Sequence, residues 1–148
     1  PVNLTRMLEG VVEDCRLQAP HLTVEQALAP GVEVQADPQL LEQALQNLAT
    51  NAVKYNCDGG KIRFELSTED NRAIVRVTNT GPGILEADRE RIFERFYRAD
   101  KSRSGRIEGT GLGLSLAREI IRAHGGELNL VQTSEEWTEF AAGLPLAT

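Results

Sequence analysis

Two cysteines, one methionine, one tryptophan and six other aromatic residues are all that this 148-residue chain holds of those kinds. Cys15 and Cys57 are too few for a disulfide framework and show no CxxC spacing, so they read as reduced, buried apolar thiols of a cytoplasmic domain. No run approaches the roughly 18 to 20 apolar residues that span a bilayer. The opening Pro1-Val2-Asn3-Leu4 lacks a charged leader with an apolar core, and its missing Met reads as a piece of something longer. Basic residues are outnumbered 16 to 22, a net charge of −6. That balance argues against a nucleic-acid partner or direct membrane contact, which need clustered Lys and Arg, but leaves local phosphate binding open. His21 and His124 have no carboxylate or cysteine at metal-ligand spacing and receive no role.

What is present suffices for one core, since 41% of the residues are hydrophobic and the length suits a single domain over 1–148. Leu4, Leu8, Val11, Val12 and Cys15 recur at helical spacing over residues 3 to 17. Leu22/Val24 and Val32/Val34 alternate as two short strands separated by Pro30-Gly31, and Asp37-Pro38 predicts a helix N-cap with proline in the first turn. The helix from 38 to 55 carries Leu40, Leu41, Ala44, Leu45, Leu48 and Ala52 as its apolar stripe. At about 100° per residue, Asn47, Asn51 and Lys54 fall along one edge of that stripe, at the rim of a cleft.

Beyond the turn Asp58-Gly59-Gly60, Ile62/Phe64/Leu66 and Ala73/Val75/Val77 predict two paired strands. From 84 to 109 the pattern weakens apart from a short helical piece around 87–97, and Lys101 to Arg106 has little to bury, which predicts a mobile segment. Leu112 to Ile121 restores helix, stopped by Gly125-Gly126, and Leu128/Leu130 and Trp137 to Leu144 predict two closing strands. Three longer helices against roughly six strands, several in consecutive hairpins, imply an α+β fold: a two-layer sandwich with a mixed, mostly antiparallel sheet and helices on one face.

Two glycine-rich segments accompany the asparagine edge. Gly109-Thr110-Gly111-Leu112-Gly113-Leu114 opens a helix, where backbone N–H groups and the positive end of the dipole suit a phosphate. It is neither GxxxxGK[ST] nor a dinucleotide fingerprint after a first strand, and alone it reads equally as a turn before a helix. Asn79-Thr80-Gly81-Pro82-Gly83-Ile84 ends a strand in a tight turn, a loop signal when taken alone. Asn47, Asn51, Lys54 and Tyr55 are individually ordinary surface or rim residues, and Arg95 and Arg98, beside Glu94 and Asp100, read as surface ion pairs.

Taken in order, these segments closely resemble the ATP-binding catalytic domain of two-component sensor histidine kinases, over nearly the whole chain. Asn47-Leu-Ala-Thr-Asn51-Ala-Val-Lys54-Tyr55 is similar to that family's asparagine motif, and Asn79-x-Gly81-Pro-Gly83-Ile84 to its first glycine motif. Ile92-Phe93-Glu94-Arg95-Phe96-Tyr97-Arg98-Ala-Asp100 resembles its phenylalanine motif, and Gly109-Thr110-Gly111-Leu112-Gly113-Leu114 its second glycine motif.

The resemblance implies a Bergerat-type fold, bound ATP with Mg2+, and transfer of the γ-phosphate to a histidine. That histidine would lie on a separate dimerisation domain of the same parent, a response regulator receiver domain would act downstream, and the parent sensor is compatible with a membrane anchor outside this chain. By similarity Asn51 would ligate the metal through its amide oxygen and Asn47 would support the phosphates or the metal's waters. Lys54 would meet a phosphate, Tyr55 would pack on adenine or ribose, and Asn79 would read the adenine edge beside Gly81, Gly83 and Ile84. Arg95 and Arg98 would offset charge on the transferring group, and residues 84–109 would form a nucleotide lid anchored by Phe93 and Phe96.

Two departures accompany the resemblance. Asn79 stands where the family most often has Asp, adding a donor and losing a charge. No His-Glu/Asp-x-Arg/Lys-Thr-Pro type of segment is present, so the chain would be the donor half alone. A nucleotide-holding docking module remains an alternative. So does a water-hydrolysing ATPase of the same fold, but Asn47 disfavours it, because relatives that activate water place Glu there and an amide is no general base.

Overall fold

The computed structural model describes residues 1–81, 92–93, 113–133 and 136–147. The chain opens with β1 (Val2–Asn3) and α1 (Leu4–Gln18). Asn3 caps α1, its side-chain oxygen accepting from the Arg6 N–H at 3.0 Å. Leu4, Leu8, Val11, Val12 and Cys15 form its buried stripe, as their spacing predicts. Next come β2 (Thr23–Leu28) and β3 (Glu33–Val34). β3 does not pair with β2: it lies antiparallel to β1, with Val2 opposite Val34, so the two expected strands belong to separate sheets.

α2 (Pro38–Lys54) starts where Asp37-Pro38 predicts, the Asp37 carboxylate accepting from the N–H groups of Gln39 at 3.0 Å and Leu40 at 3.1 Å. Leu41, Ala44, Leu45, Leu48, Ala49 and Ala52 are its buried face. Leu40, expected on that stripe, is 43% exposed instead. The reason is angular: about 100° per residue places Leu40 a quarter-turn off Leu41 and Leu48, on the same edge as Asn47 and Asn51.

β4 (Lys61–Glu69) and β5 (Arg72–Thr80) follow as an antiparallel pair. They turn at Asp70 and Asn71, both at positive φ, 50° and 63°, the conformation a two-residue hairpin of this twist requires. After α3 (Gly113–Ala123) the chain closes with β6 (Glu127–Thr133) and β7 (Trp137–Pro145). α3 ends as Gly125-Gly126 predicts: Gly125 takes φ 79°, its N–H donates to Arg122 O, and the Gly126 N–H reaches back to Ile121 O at 3.0 Å.

The main sheet has the order β2-β4-β5-β7-β6, with β2 parallel to β4 and every other pair antiparallel. With the two-stranded β1/β3 pair this makes seven strands among the described residues, one more than expected. Burial alternates along the long strands, so Ile62, Phe64, Leu66, Ala73, Val75, Val77, Phe140, Ala142 and Leu144 share one face, the face the helices cover. Each fully buried Leu, Ile or Phe on it stabilises the fold by about 1.5–3 kcal/mol. The two-layer mixed sandwich is thus the observed architecture. Of the helical piece expected at 87–97, only Ile92 and Phe93 are described, in a turn, with Ile92 buried. No helix among the described residues is long and apolar enough to cross a membrane.

Candidate functional site

The polar edge of α2 is half-buried at Asn47 and Asn51 and exposed at Lys54, so neither amide is sealed under the core. Asn47 Nδ2 donates weakly to the carbonyl of Gly113 at 3.4 Å, which brings the first residue of α3 onto the middle of α2. At the other end of that edge, Tyr55 caps the helix with its N–H on Asn51 O at 3.2 Å and is itself half-buried. The Gly81 turn meets the helix there. Gly81 has φ 130°, and a Cβ on it would overlap the Tyr55 carbonyl oxygen and crowd Asn56 Cα, so only glycine permits this approach. Its N–H donates to Glu136 O at 2.9 Å, which fixes the turn to the residue just ahead of the neighbouring strand β7.

Asn79 continues the buried row Ala73, Val75, Val77 and is only 4% exposed. An amide in that position must satisfy its donor, and Nδ2 donates to the carbonyl of Thr80 at 2.9 Å. A carbonyl can only accept, so this bond fixes the orientation of the amide and leaves Oδ1 as a carbonyl acceptor with no partner among the described residues. Gly113 is exposed and Leu114 half-buried at the start of α3. Gly83, Ile84, Arg95, Arg98, Gly109, Thr110, Gly111 and Leu112 lie outside the described residues, as does Phe96. Phe93 is described: its ring meets Phe140 edge-on at 6.0 Å between centroids, and the Arg118 guanidinium stacks 4.2 Å from its centre.

Three features are not evident in the motif spacing. Asn56 and Thr80 join side chain to side chain beside the glycine turn, where sequence shows only ordinary turn-forming residues. Glu127 gathers Arg122 at 3.0 Å and Arg118 at 3.2 Å, and the hydrogen bond from Arg122 holds its carboxyl below the ordinary value, with the Leu128 N–H and Arg118 adding to it. Cys57, expected to be buried, is exposed, because it lies past the helix end in the turn to β4 rather than on a stripe. Its thiol sits 3.7 Å from Thr80 Oγ1. Cys15 is buried as expected, and burial pushes its thiol upward.

A hard cation is chemically suited to the amide oxygen of Asn51. Among the described residues no group of three His, Cys, Asp or Glu is placed to hold a metal ion.

Residues 36–148 match the family described as histidine kinase-, DNA gyrase B- and HSP90-like ATPase. The chain is 46% identical over 103 residues to the probable sensor protein PcoS of Escherichia coli, covering 70% of this chain and 22% of that protein. It is 35% identical over 147 residues to the probable sensor histidine kinase TcrY of Mycobacterium tuberculosis, covering 99% of this chain and 31% of TcrY, so it spans less than a third of either relative. The solved mycobacterial sensor histidine kinase MprB superposes with a TM-score of 0.88 at 29% identity, covering 98% of this chain and 97% of that one.

Proposed function

This chain belongs to the histidine kinase-, DNA gyrase B- and HSP90-like ATPase family, and from that membership we propose that it binds ATP with magnesium and donates the γ-phosphate to a histidine on a separate dimerisation domain of its parent. The observation that carries the proposal is the placing of the α2 edge: Asn47 and Asn51 are half-buried and Lys54 is exposed, with the Gly81 turn at one end of the edge and Gly113 at its middle. A triphosphate along that edge meets two amides and an ammonium, while its base lies toward Tyr55 and Asn79.

In this reading Asn51 gives the metal an amide oxygen, and Asn47 and Lys54 hold phosphate oxygens. The bound metal supplies charge neutralisation between phosphates. Tyr55 packs on the base or ribose, and Asn79 Oδ1 accepts from the exocyclic amine of adenine, since the bond from one Nδ2 N–H to the Thr80 carbonyl orients the amide with its oxygen free to accept. By likeness to the family motifs, Gly81, Gly83 and Ile84 are assigned to the base, and Gly109, Thr110, Gly111, Leu112, Gly113 and Leu114 to the phosphates. Residues 84–109 are assigned as the nucleotide lid, with Arg95 and Arg98 offsetting charge on the transferring group. Transfer to a nucleophile supplied by another domain depends chiefly on positioning and charge stabilisation, which the amide at Asn47 serves and a water-activating base would not. A receiver domain then accepts the phosphoryl group from the histidine.

The test supplies the chain with a matching histidine-bearing helical domain and γ-labelled ATP. Label on that domain, retained after denaturation, is the expected result. Nucleotide binding without labelling would instead assign a docking module, and phosphate release by the isolated chain would assign a hydrolase.

A further inference from the structure

Asn56 follows Tyr55, and Thr80 stands between Asn79 and Gly81, so each lies one residue from a group assigned to the base. Their side chains bond to each other, Thr80 Oγ1 donating to Asn56 Oδ1 at 2.7 Å. Asn56 Oδ1 also accepts from the Cys57 N–H at 2.8 Å, and its Nδ2 donates to the Lys61 carbonyl at 2.9 Å. Thr80 Oγ1 in turn accepts from the Lys61 N–H at 2.8 Å. One carboxamide and one hydroxyl therefore tie together the exit of α2, the first residue of β4 and the last of β5. Gly60 runs so close beside them that a Cβ would overlap both Asn56 Oδ1 and Thr80 Oγ1. The knot leaves no slack, and Asn79 is hung from it through its bond to the Thr80 carbonyl.

We propose that Asn56 and Thr80 are positioning residues of the nucleotide site, which lock the close approach of Gly81 to the Tyr55 backbone and hold Asn79 beside it, so that the base meets a preformed edge. The inference rests on the nucleotide reading above and deepens it. Preorganisation of this kind acts on whatever meets that edge and not on the phosphates along α2, so its loss weakens recognition of the base selectively.

Thr80→Val keeps the shape of the side chain and removes its hydroxyl bonds, whereas Thr80→Ser keeps them. Binding of ATP and of inorganic tripolyphosphate, each with magnesium, is measured for the 148-residue chain by displacement of a fluorescent nucleotide, beside a thermal melt. Thr80→Val is expected to weaken ATP about tenfold and tripolyphosphate by less than about twofold, with Thr80→Ser restoring ATP to within about twofold of wild type. Equal losses for both probes, or unchanged ATP binding, overturn the proposal, because a general loss of folding lowers both together. Should Thr80→Val fail to fold, Asn56→Ser takes its place with the same two outcomes. A wild-type chain that binds no ATP defeats the nucleotide reading itself, which is a different result from variants that lose both probes alike.

Discussion

His124 accepts a hydrogen bond through Nε2 from the backbone N–H of Asp37 at 3.1 Å, joining residues 87 positions apart. Its other nitrogen, Nδ1, lies 2.7 Å from the Ile120 carbonyl. A carbonyl only accepts, so Nδ1 carries the proton and Nε2 presents the lone pair that Asp37 needs. The ring thus fastens the C-terminal end of α3 to the N-cap of α2, and Asp37 in turn caps that helix. His124→Ala is expected to lower stability by about 1 kcal/mol, read as a lower urea midpoint with unchanged slope. A midpoint equal to wild type would show that water replaces the ring without cost.

Acid stability should respond to Glu127. Its folded-state pKa lies below the ordinary 4.5, chiefly through the hydrogen bond from Arg122. A carboxyl depressed on folding contributes stability in full above its unfolded value, and that contribution is lost as the pH falls through the folded value. Glu127→Gln should therefore flatten the stability profile on the acid side of 4.5 while costing a constant amount above it. The group is partly exposed, so the effect is also expected to shrink in high salt. A variant with the wild-type acid slope would remove Glu127 from that transition.

Nucleotide binding by Asn51→Ala should lose its dependence on magnesium. The substitution removes the amide oxygen and leaves Asn47 and Lys54 in place, so residual binding is expected to be weak and nearly the same with a chelator as with the metal. Titration of wild type and variant under both conditions checks this, and an unchanged magnesium response in the variant would take the metal away from Asn51.

Thiol labelling should separate the two cysteines. Cys57 is exposed, while Cys15 is buried on α1 with its thiol pushed upward by that burial. A maleimide at neutral pH is expected to modify one thiol of the native chain at Cys57, and the second at Cys15 only after unfolding. Mass spectrometry of peptides from the native reaction decides, and rapid labelling of Cys15 would contradict its burial.

The helices and the long strands could be read from the sequence because their signals are local: the 3.6-residue stripes of α1 and α2, the Asp37-Pro38 cap, the Gly125-Gly126 stop and the alternation of β4 and β5 all act within a few residues. Pairing across the chain and side-chain partnership lie outside such local signals. Nothing near Val32 and Val34 says that their strand faces Val2, and Leu40 was counted as core because hydrophobicity carries no angle by itself. Within the site, Asn47 and Asn51 share one helix edge by spacing, and Asn79 is singled out by the ordered resemblance to the family motifs. Asn56, Thr80 and His124 are not, since their partners lie 24 and 87 positions away and no local pattern announces a bond of that range.

The Asp70-Asn71 turn carries a remote consequence. Strand residues alternate in phase, so inserting or deleting one residue there would rotate every later side chain of β5 by half a turn relative to β4. Asn79 would swing from the helix side to the outer surface, and Thr80 inward. A loop about 27 Å along the strand from Asn79 therefore sets which side of the ribbon presents its amide. Length changes at that tip should abolish adenine selectivity, whereas same-length exchange for Asn-Gly should preserve it.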